Sequence, residues 1–219
     1  MTNATVVATV RISDLCKYFM MLSKSAHRSL VTRRNRLLCH QKSVIVEKRF
    51  RSDTVDSTIQ HLTNEVHRVF GDVQLYDGTT LAEAKAMDRY VTGSALQEVR
   101  ERSITESQSW SSINNDDVVA IVFNFTHFDN AGKRYHFPAV LASLLRQDPP
   151  SYELSTSIAY FFSDTILDIR GVFTISELCV IVTVLTFLQR RIQDTSGRLD
   201  GAIEYIWEEL LANASRVSG

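Results

Sequence analysis

The sequence is short of glycine and cysteine, and each shortage argues against a class of protein. Its 219 residues include eight glycines and three cysteines. So few glycines leave little material for loops that cradle phosphates, and neither a nucleotide-binding motif nor a nucleophile motif is present. Cys16, Cys39 and Cys179 are odd in number and widely spaced, so they fit neither a disulfide framework nor a zinc finger. We predict buried thiols in a reducing compartment, no cofactor and no catalytic residue, which leaves an enzyme unsupported.

The sequence also lacks the features of export and of membrane insertion. Its first residues do not show the basic-then-apolar profile of a signal peptide, which predicts an intracellular protein or a virion component. The longest apolar run, residues 178–188, is shorter than the roughly 20 apolar residues that a membrane span needs. We therefore predict that this run lies in a globular core and that a membrane is not a partner.

One helix is well specified by its own residues. Thr174 and Glu177 form a capping box at its start, and Arg190 and Arg191 supply cations for its C-terminal end. The residues between are apolar on every side, which is typical of a helix buried all round. We predict a buried helix at 174–194 with a C-terminal helical bundle around it.

The predicted fold class is α+β, with a mixed α/β N-terminal half and one β-hairpin at about 118–137. Residues 118–128 are rich in β-branched and aromatic side chains, residues 129–132 resemble a turn, and Pro138 ends the returning strand. Further strands are predicted at 4–11, 43–47 and 73–76, with helices at 53–70 and from the capping box of Thr80 and Glu83.

The polar stretch 103–117 is the predicted boundary between two regions of the chain. It is rich in Ser, Thr, Gln, Asn and Glu, which favours a surface loop. It would separate a basic-fronted mixed region at 1–102 from the hairpin and helical bundle at 118–219. The alternative is one single domain with this loop on its surface.

Charge is distributed unevenly along the chain. Residues 1–51 hold eleven Lys and Arg against two acidic residues, a charge of +9, and the remainder holds 13 basic and 23 acidic residues, a charge of −10. Such asymmetry points to an anionic partner or to head-to-tail packing of subunits. The residues predicted to bind nucleic acid or another anionic partner are Arg28, Arg33, Arg34, Arg36, Lys48, Arg49 and Arg51.

No metal site is predicted. His127 and His136 flank the expected hairpin turn with Asp129 nearby, but a metal needs three or four ligands and supporting contacts. We predict that these histidines are exposed on the hairpin. Asp116 and Asp117 precede the first expected strand and are read as loop carboxylates.

Three functions are compatible with these patterns. The leading hypothesis is a non-enzymatic structural or assembly subunit, which self-associates through its charge-asymmetric surfaces and by strand addition at residues 4–11. Its partners would be copies of itself or other subunits, and a viral or phage particle protein would fit this description. The alternative is a nucleic-acid-binding protein that uses the basic N-terminal region. The third is a metal-dependent hydrolase or nuclease with Asp116, Asp117, His127 and Asp129 in its site.

Overall fold

The computed structural model describes residues 55–104, 109–162, 171–192 and 197–217. Within these ranges the protein has α-helices and no strand, so the predicted α+β class is wrong and the described fold is all-α. The helices are α1 (Val55–Phe70), α2 (Leu81–Asp88), α3 (Gly93–Ile104), α4 (Asn115–Phe123), α5 (Asn130–Arg146), α6 (Tyr152–Phe161), α7 (Ile175–Ile192) and α8 (Arg198–Val217). Short 3₁₀ turns lie at Trp110–Ser112 and Phe125–His127.

The hairpin predicted at 118–137 is replaced by α4 and the first half of α5. Asn114 begins α4 because its side chain accepts a hydrogen bond from the N–H of Asp117 at 2.8 Å. Asp129 begins α5 in the same way, accepting from the N–H of Gly132 at 2.7 Å. Residues that suggested a loop and a turn are therefore helix N-caps. The β-branched side chains of Val118, Ile121 and Val122 are buried by helix packing, which outweighs their strand preference.

Pro138 lies inside α5 and does not end a strand. Because proline has no N–H, it cannot donate to the carbonyl of Arg134, and a proline in a helix interior costs about 3 kcal/mol. Every residue from Tyr135 to Leu145 is buried, so α5 is enclosed on all sides. Burial of this many side chains offsets the cost of the proline.

Other expected elements have mixed outcomes. Helix α1 occupies most of the range 53–70, and α7 lies where a helix was expected at 174–194. Residues 73–76 form no strand and instead lead into a tight turn, in which the N–H of Gly78 donates to the carbonyl of Leu75 at 2.9 Å. The strands predicted at 4–11 and 43–47 lie outside the described residues, as do residues 193–194.

Helices α5 and α7 form the centre of the core. Helix α1 packs against both of them, and α8 packs against α7 and α6. One cluster of buried side chains extends from Leu62 in α1 to Leu210 in α8. The predicted boundary loop contributes Trp110 to this cluster, and its indole N–H donates to the carbonyl of Phe70 at 2.8 Å. Among the described helices, none is long and apolar enough to cross a membrane.

An ion pair with a buried carboxylate connects the two central helices. Glu177 is 1% exposed, and its carboxylate accepts from the Arg134 guanidinium, with Nε 2.9 Å and Nη2 2.9 Å from Oε1. The same carboxylate caps α7 by accepting from the N–H of Thr174 at 2.6 Å. The capping box expected from the sequence is thus present, and the carboxylate in it also joins α7 to α5.

Candidate interaction surface

The seven basic residues predicted to bind an anion all lie in the first 54 residues, outside the described part of the chain. The structure therefore does not place Arg28, Arg33, Arg34, Arg36, Lys48, Arg49 or Arg51. A candidate site must be built from other residues.

The carboxylates and histidine of the hydrolase hypothesis have separate structural contacts. Asp117 accepts from Lys85 Nζ at 3.1 Å, and Asp129 Oδ1 accepts from the N–H of Thr79 at 3.1 Å while it caps α5. His127 Nε2 lies 3.5 Å from Asp88 Oδ1. Across the described ranges, no group of three or more His, Cys, Asp or Glu side chains is placed to hold a metal ion.

His136 is a core residue, which corrects the prediction that it is exposed. It is 3% exposed, its Nδ1 lies 2.8 Å from the carbonyl oxygen of Gly132, and its ring centroid lies 4.5 Å from that of Phe128. Burial lowers the pKa of His136 to about 4, although the Gly132 carbonyl and the charge of Asp129 act in the opposite direction. A neutral imidazole in such surroundings is a packing residue and not a surface ligand.

A close backbone contact fixes the segment before α2 against the start of α5. A Cβ atom on Gly132 would lie 2.7 Å from the carbonyl oxygen of Thr79, and one on Gly78 would lie 2.8 Å from the Cβ of Ala131. The N–H of Asp129 also donates to the Thr79 hydroxyl at 3.2 Å. This contact sets the position of α2, which begins directly afterwards at the capping box of Thr80 and Glu83.

Helix α2 ends in a Schellman motif with a tyrosine where glycine is usual. The N–H of Tyr90 donates to the carbonyl of Met87 at 2.9 Å, and the N–H of Val91 donates to the carbonyl of Ala86 at 3.0 Å. Tyr90 has φ of 60°, in the left-handed region that side chains with a Cβ rarely adopt. Its side chain is nevertheless 92% exposed.

The outer face of α4 is apolar and exposed. Val119 is 45% exposed and Phe123 is 78% exposed, while Val118, Ile121 and Val122 point into the core. Positions 119 and 123 are one helical turn apart, so the two exposed side chains lie next to each other on one face.

Two side-chain contacts link α2 to α4 and to the 3₁₀ turn that follows it. Lys85 pairs with Asp117 near the start of α4, and Asp88 lies beside His127, which follows the end of α4. Helix α2 therefore contacts α4 and the 3₁₀ turn after it. Tyr90 comes two residues after Asp88, and its side chain is exposed like those of Val119 and Phe123. We call Tyr90, Val119 and Phe123 the aromatic surface.

A family model matches the part of the chain that contains this surface. The model is described as a family of unknown function (DUF6714), and it matches residues 58–208. The chain belongs to the DUF6714 family. No curated protein and no solved structure matches the chain. The matched range includes the aromatic surface and excludes the seven basic residues predicted to bind an anion.

The sequence prediction missed the aromatic surface because it assigned Val119 and Phe123 to a strand. The signal that favours a helix is local. Asn114 is followed three residues later by Asp117, and short polar side chains at a helix start satisfy backbone N–H groups. Tyr90 could not be found in this way, since nothing in its neighbours predicts a left-handed backbone at a tyrosine.

Proposed function

We propose that this protein is a non-enzymatic assembly subunit that associates with other copies of itself inside a reducing compartment of the cell. The aromatic surface supports this proposal. Phenylalanine and tyrosine are enriched in the centres of protein interfaces, where their burial contributes much of the affinity. Removing a side chain such as Phe123 from water is worth about 1.5–3 kcal/mol.

The left-handed backbone of the exposed residue Tyr90 is the observation that carries the proposal. A non-glycine residue in the left-handed region costs roughly 1–2 kcal/mol, and glycine at this position of a Schellman motif avoids that cost. The exposed ring of Tyr90 gains little from the core in return. Strain that the fold itself does not need is a reason to look for a function of the side chain, and contact with a partner is such a function.

The charge distribution is a second, independent support. The charges of +9 on residues 1–51 and −10 on the remainder have opposite signs and similar size. Copies of the chain can therefore attract each other when the basic part of one approaches the acidic part of the next. The positive residues 1–51 lie outside the range matched by the family model, and the negative remainder lies largely within it.

The test is the mass of the full-length protein by light scattering, over a range of concentrations and at low and high salt. Absorbance of nucleic acid is recorded on the same peak. We expect a discrete oligomer, free of nucleic acid and persisting in high salt. Replacing Phe123 by Ser should weaken association about tenfold or more, because each 1.4 kcal/mol of lost burial is a factor of ten.

A matched control variant is available in Tyr152. It is an exposed aromatic residue on α6, outside the aromatic surface. Tyr152→Ser should leave the association constant unchanged, which separates a specific surface from general stickiness. A chain that stays monomeric at every concentration would refute the proposed function.

Nucleic-acid binding is the second candidate, and the +9 charge of residues 1–51 favours it. In this case the protein would elute with nucleic acid that high salt removes. Each phosphate contact contributes a slope of about −0.9 to the logarithm of affinity against the logarithm of salt concentration. Replacing Arg33, Arg34 and Arg36 by Gln should then make that slope shallower.

A further inference from the structure

We infer that two copies of this chain associate by exchanging helices, with the link between α2 and α3 as the hinge. In the exchanged dimer, α2 and α3 of each chain form one continuous helix. The part of each chain before the hinge then packs against the part of the other chain after it. This inference rests on the proposed self-association and specifies how the copies are joined.

The hinge has a backbone conformation that is costly in the single chain. Residues 89–92 connect α2 to α3, and the backbones of Tyr90 and Gly93 are left-handed, with φ of 60° and 62°. A tyrosine rarely adopts this region, and the ring of Tyr90 is too exposed to gain from core packing. A continuous helix would relieve this strain in both chains, and short hinges under strain favour the exchange of elements between copies.

The sequence of this region is compatible with one uninterrupted helix. Residues 81–104 contain no proline, so no position in them lacks the N–H that a helix needs. Apolar residues recur at spacings of three and four on both sides of the hinge, and this helical period continues in phase across it. These residues are Ala84, Met87, Val91, Ala95 and Val99. The same stretch can therefore form a helical hairpin or one long helix.

Polar contacts hold the hairpin together at the end away from the hinge. Helix α3 packs against α2, and none of its described side chains belongs to the buried core cluster. Nε of Arg100 lies 3.6 Å from Oε1 of Glu83, and Nη2 of Arg100 donates to the carbonyl of Asp77 at 2.6 Å. The hydroxyl oxygens of Thr80 and Ser103, both buried residues, lie 2.9 Å apart. The position of α3 therefore depends on α2 and on the turn before it.

A second copy can supply these contacts when the hairpin opens. Glu83 is 5% exposed, so its carboxylate is costly without a cation beside it. In a continuous helix, Glu83 and Arg100 of one chain would be about 25 Å apart, because each residue adds about 1.5 Å. In the exchanged dimer, Arg100 of each chain instead pairs with Glu83 of the other. The contacts of the single chain are then formed again between chains, and only the hinge differs.

Disulfide trapping of the full-length protein tests this exchange. Thr80→Cys and Ser103→Cys are prepared as separate variants, unfolded together in urea, refolded as a mixture and oxidised. We expect a covalent dimer with a disulfide between positions 80 and 103, identified by mass spectrometry, because the exchange brings these positions of two chains together. Each variant refolded alone controls for the native cysteines and should not form this link. A chain with both substitutions establishes that the two positions can form a disulfide.

Two substitutions at the hinge should shift association in opposite directions. Gly93→Ala places its Cβ in open space, but it disfavours a left-handed backbone and favours a helix. It should strengthen dimerisation about tenfold or more in sedimentation experiments, since each dimer contains two hinges. Tyr90→Gly removes the strain from the hairpin and should weaken dimerisation by a similar factor.

These experiments separate the exchange from the proposed function. The exchange is wrong if the wild type forms an oligomer but no disulfide joins positions 80 and 103 of two chains, although the double variant forms it. It is also wrong if Gly93→Ala and Tyr90→Gly shift association in the same direction or leave it unchanged. In both cases self-association still stands. A wild type that stays monomeric at every concentration would refute both.

Discussion

Acidification should destabilise this protein through the buried imidazole of His136. The pKa of His136 is lowered from its ordinary value of 6.5 to about 4, chiefly because burial disfavours the charged form. Above pH 6.5 the ring is neutral in the folded and the unfolded chain, and it makes no difference to stability. Between pH 6.5 and about 4 the unfolded chain binds a proton that the folded chain does not. Stability is therefore lost progressively as the pH falls through this window.

The size of the effect follows from the same pKa difference. One pKa unit corresponds to 1.36 kcal/mol, so a fall from 6.5 to about 4 corresponds to a loss of about 3 kcal/mol in the free energy of unfolding. A typical domain has only about 5–15 kcal/mol in total, so the loss is a substantial fraction of stability. Below about pH 4 the folded ring is also protonated and the contribution becomes constant.

The assay is urea unfolding followed by circular dichroism at a series of pH values from 7.5 to 4. Wild type is compared with His136→Gln, whose side-chain N–H can replace the contact to the Gly132 carbonyl but does not titrate. Carboxylates titrate in both proteins, so the informative quantity is the difference between the two profiles. The free energy of unfolding of the wild type minus that of His136→Gln should be about 3 kcal/mol lower at pH 4 than at pH 6.5, because only the wild type loses stability through this imidazole.

His127→Gln is the control for replacing a histidine outside the core, because that ring is 33% exposed and lies beside Asp88. Parallel profiles for wild type and His136→Gln between pH 6.5 and 4 would refute the reasoning. A proton NMR titration that placed the pKa of His136 between 6 and 7 would do so directly.

Two backbone positions give further predictions. Tyr90→Gly should raise the free energy of unfolding by about 1 kcal/mol, because it removes a non-glycine residue from the left-handed region, and it should weaken self-association. A urea melt measures the first effect and light scattering the second. A variant less stable than the wild type would contradict the strain argument. Gly132→Ala should lower stability by about 1–3 kcal/mol in the same melts, because its Cβ would lie 2.7 Å from the Thr79 carbonyl oxygen. Gly201→Ala is its control, since that helical position is open and alanine should stabilise it by up to about 1 kcal/mol.

The parts of the fold that were predictable are those with a local chemical signal. The capping boxes of Thr80 with Glu83 and of Thr174 with Glu177 are both formed, as their spacing indicates. The apolar residues of α1 recur every three or four positions, so the helical period is visible in the sequence. In each case the residues that specify the element lie within a few positions of each other.

Residues 118–128 could not be assigned in this way. Eight of its eleven positions are apolar or aromatic, so neither a hydrophobic period of two nor one of 3.6 stands out. Only the structure separates the inward residues Val118, Ile121 and Val122 from the outward Val119 and Phe123. The exposure of Phe123 depends on which helices pack around α4. This packing is set by the whole chain and cannot be read from the residues next to Phe123 in sequence.

The carboxylate of Glu177 has a consequence for how this family can change over time. It caps α7 and pairs with Arg134 on α5 at once, while it is almost fully buried. Loss of Arg134 alone would leave the buried carboxylate without its cation, and loss of Glu177 alone would leave α7 without its cap, so either change is destabilising. Substitution at positions 134 and 177 therefore has to occur together, so the pair should appear in related sequences as a covarying position. Such a correlation would identify the contact between α5 and α7 from sequences alone, without any structure.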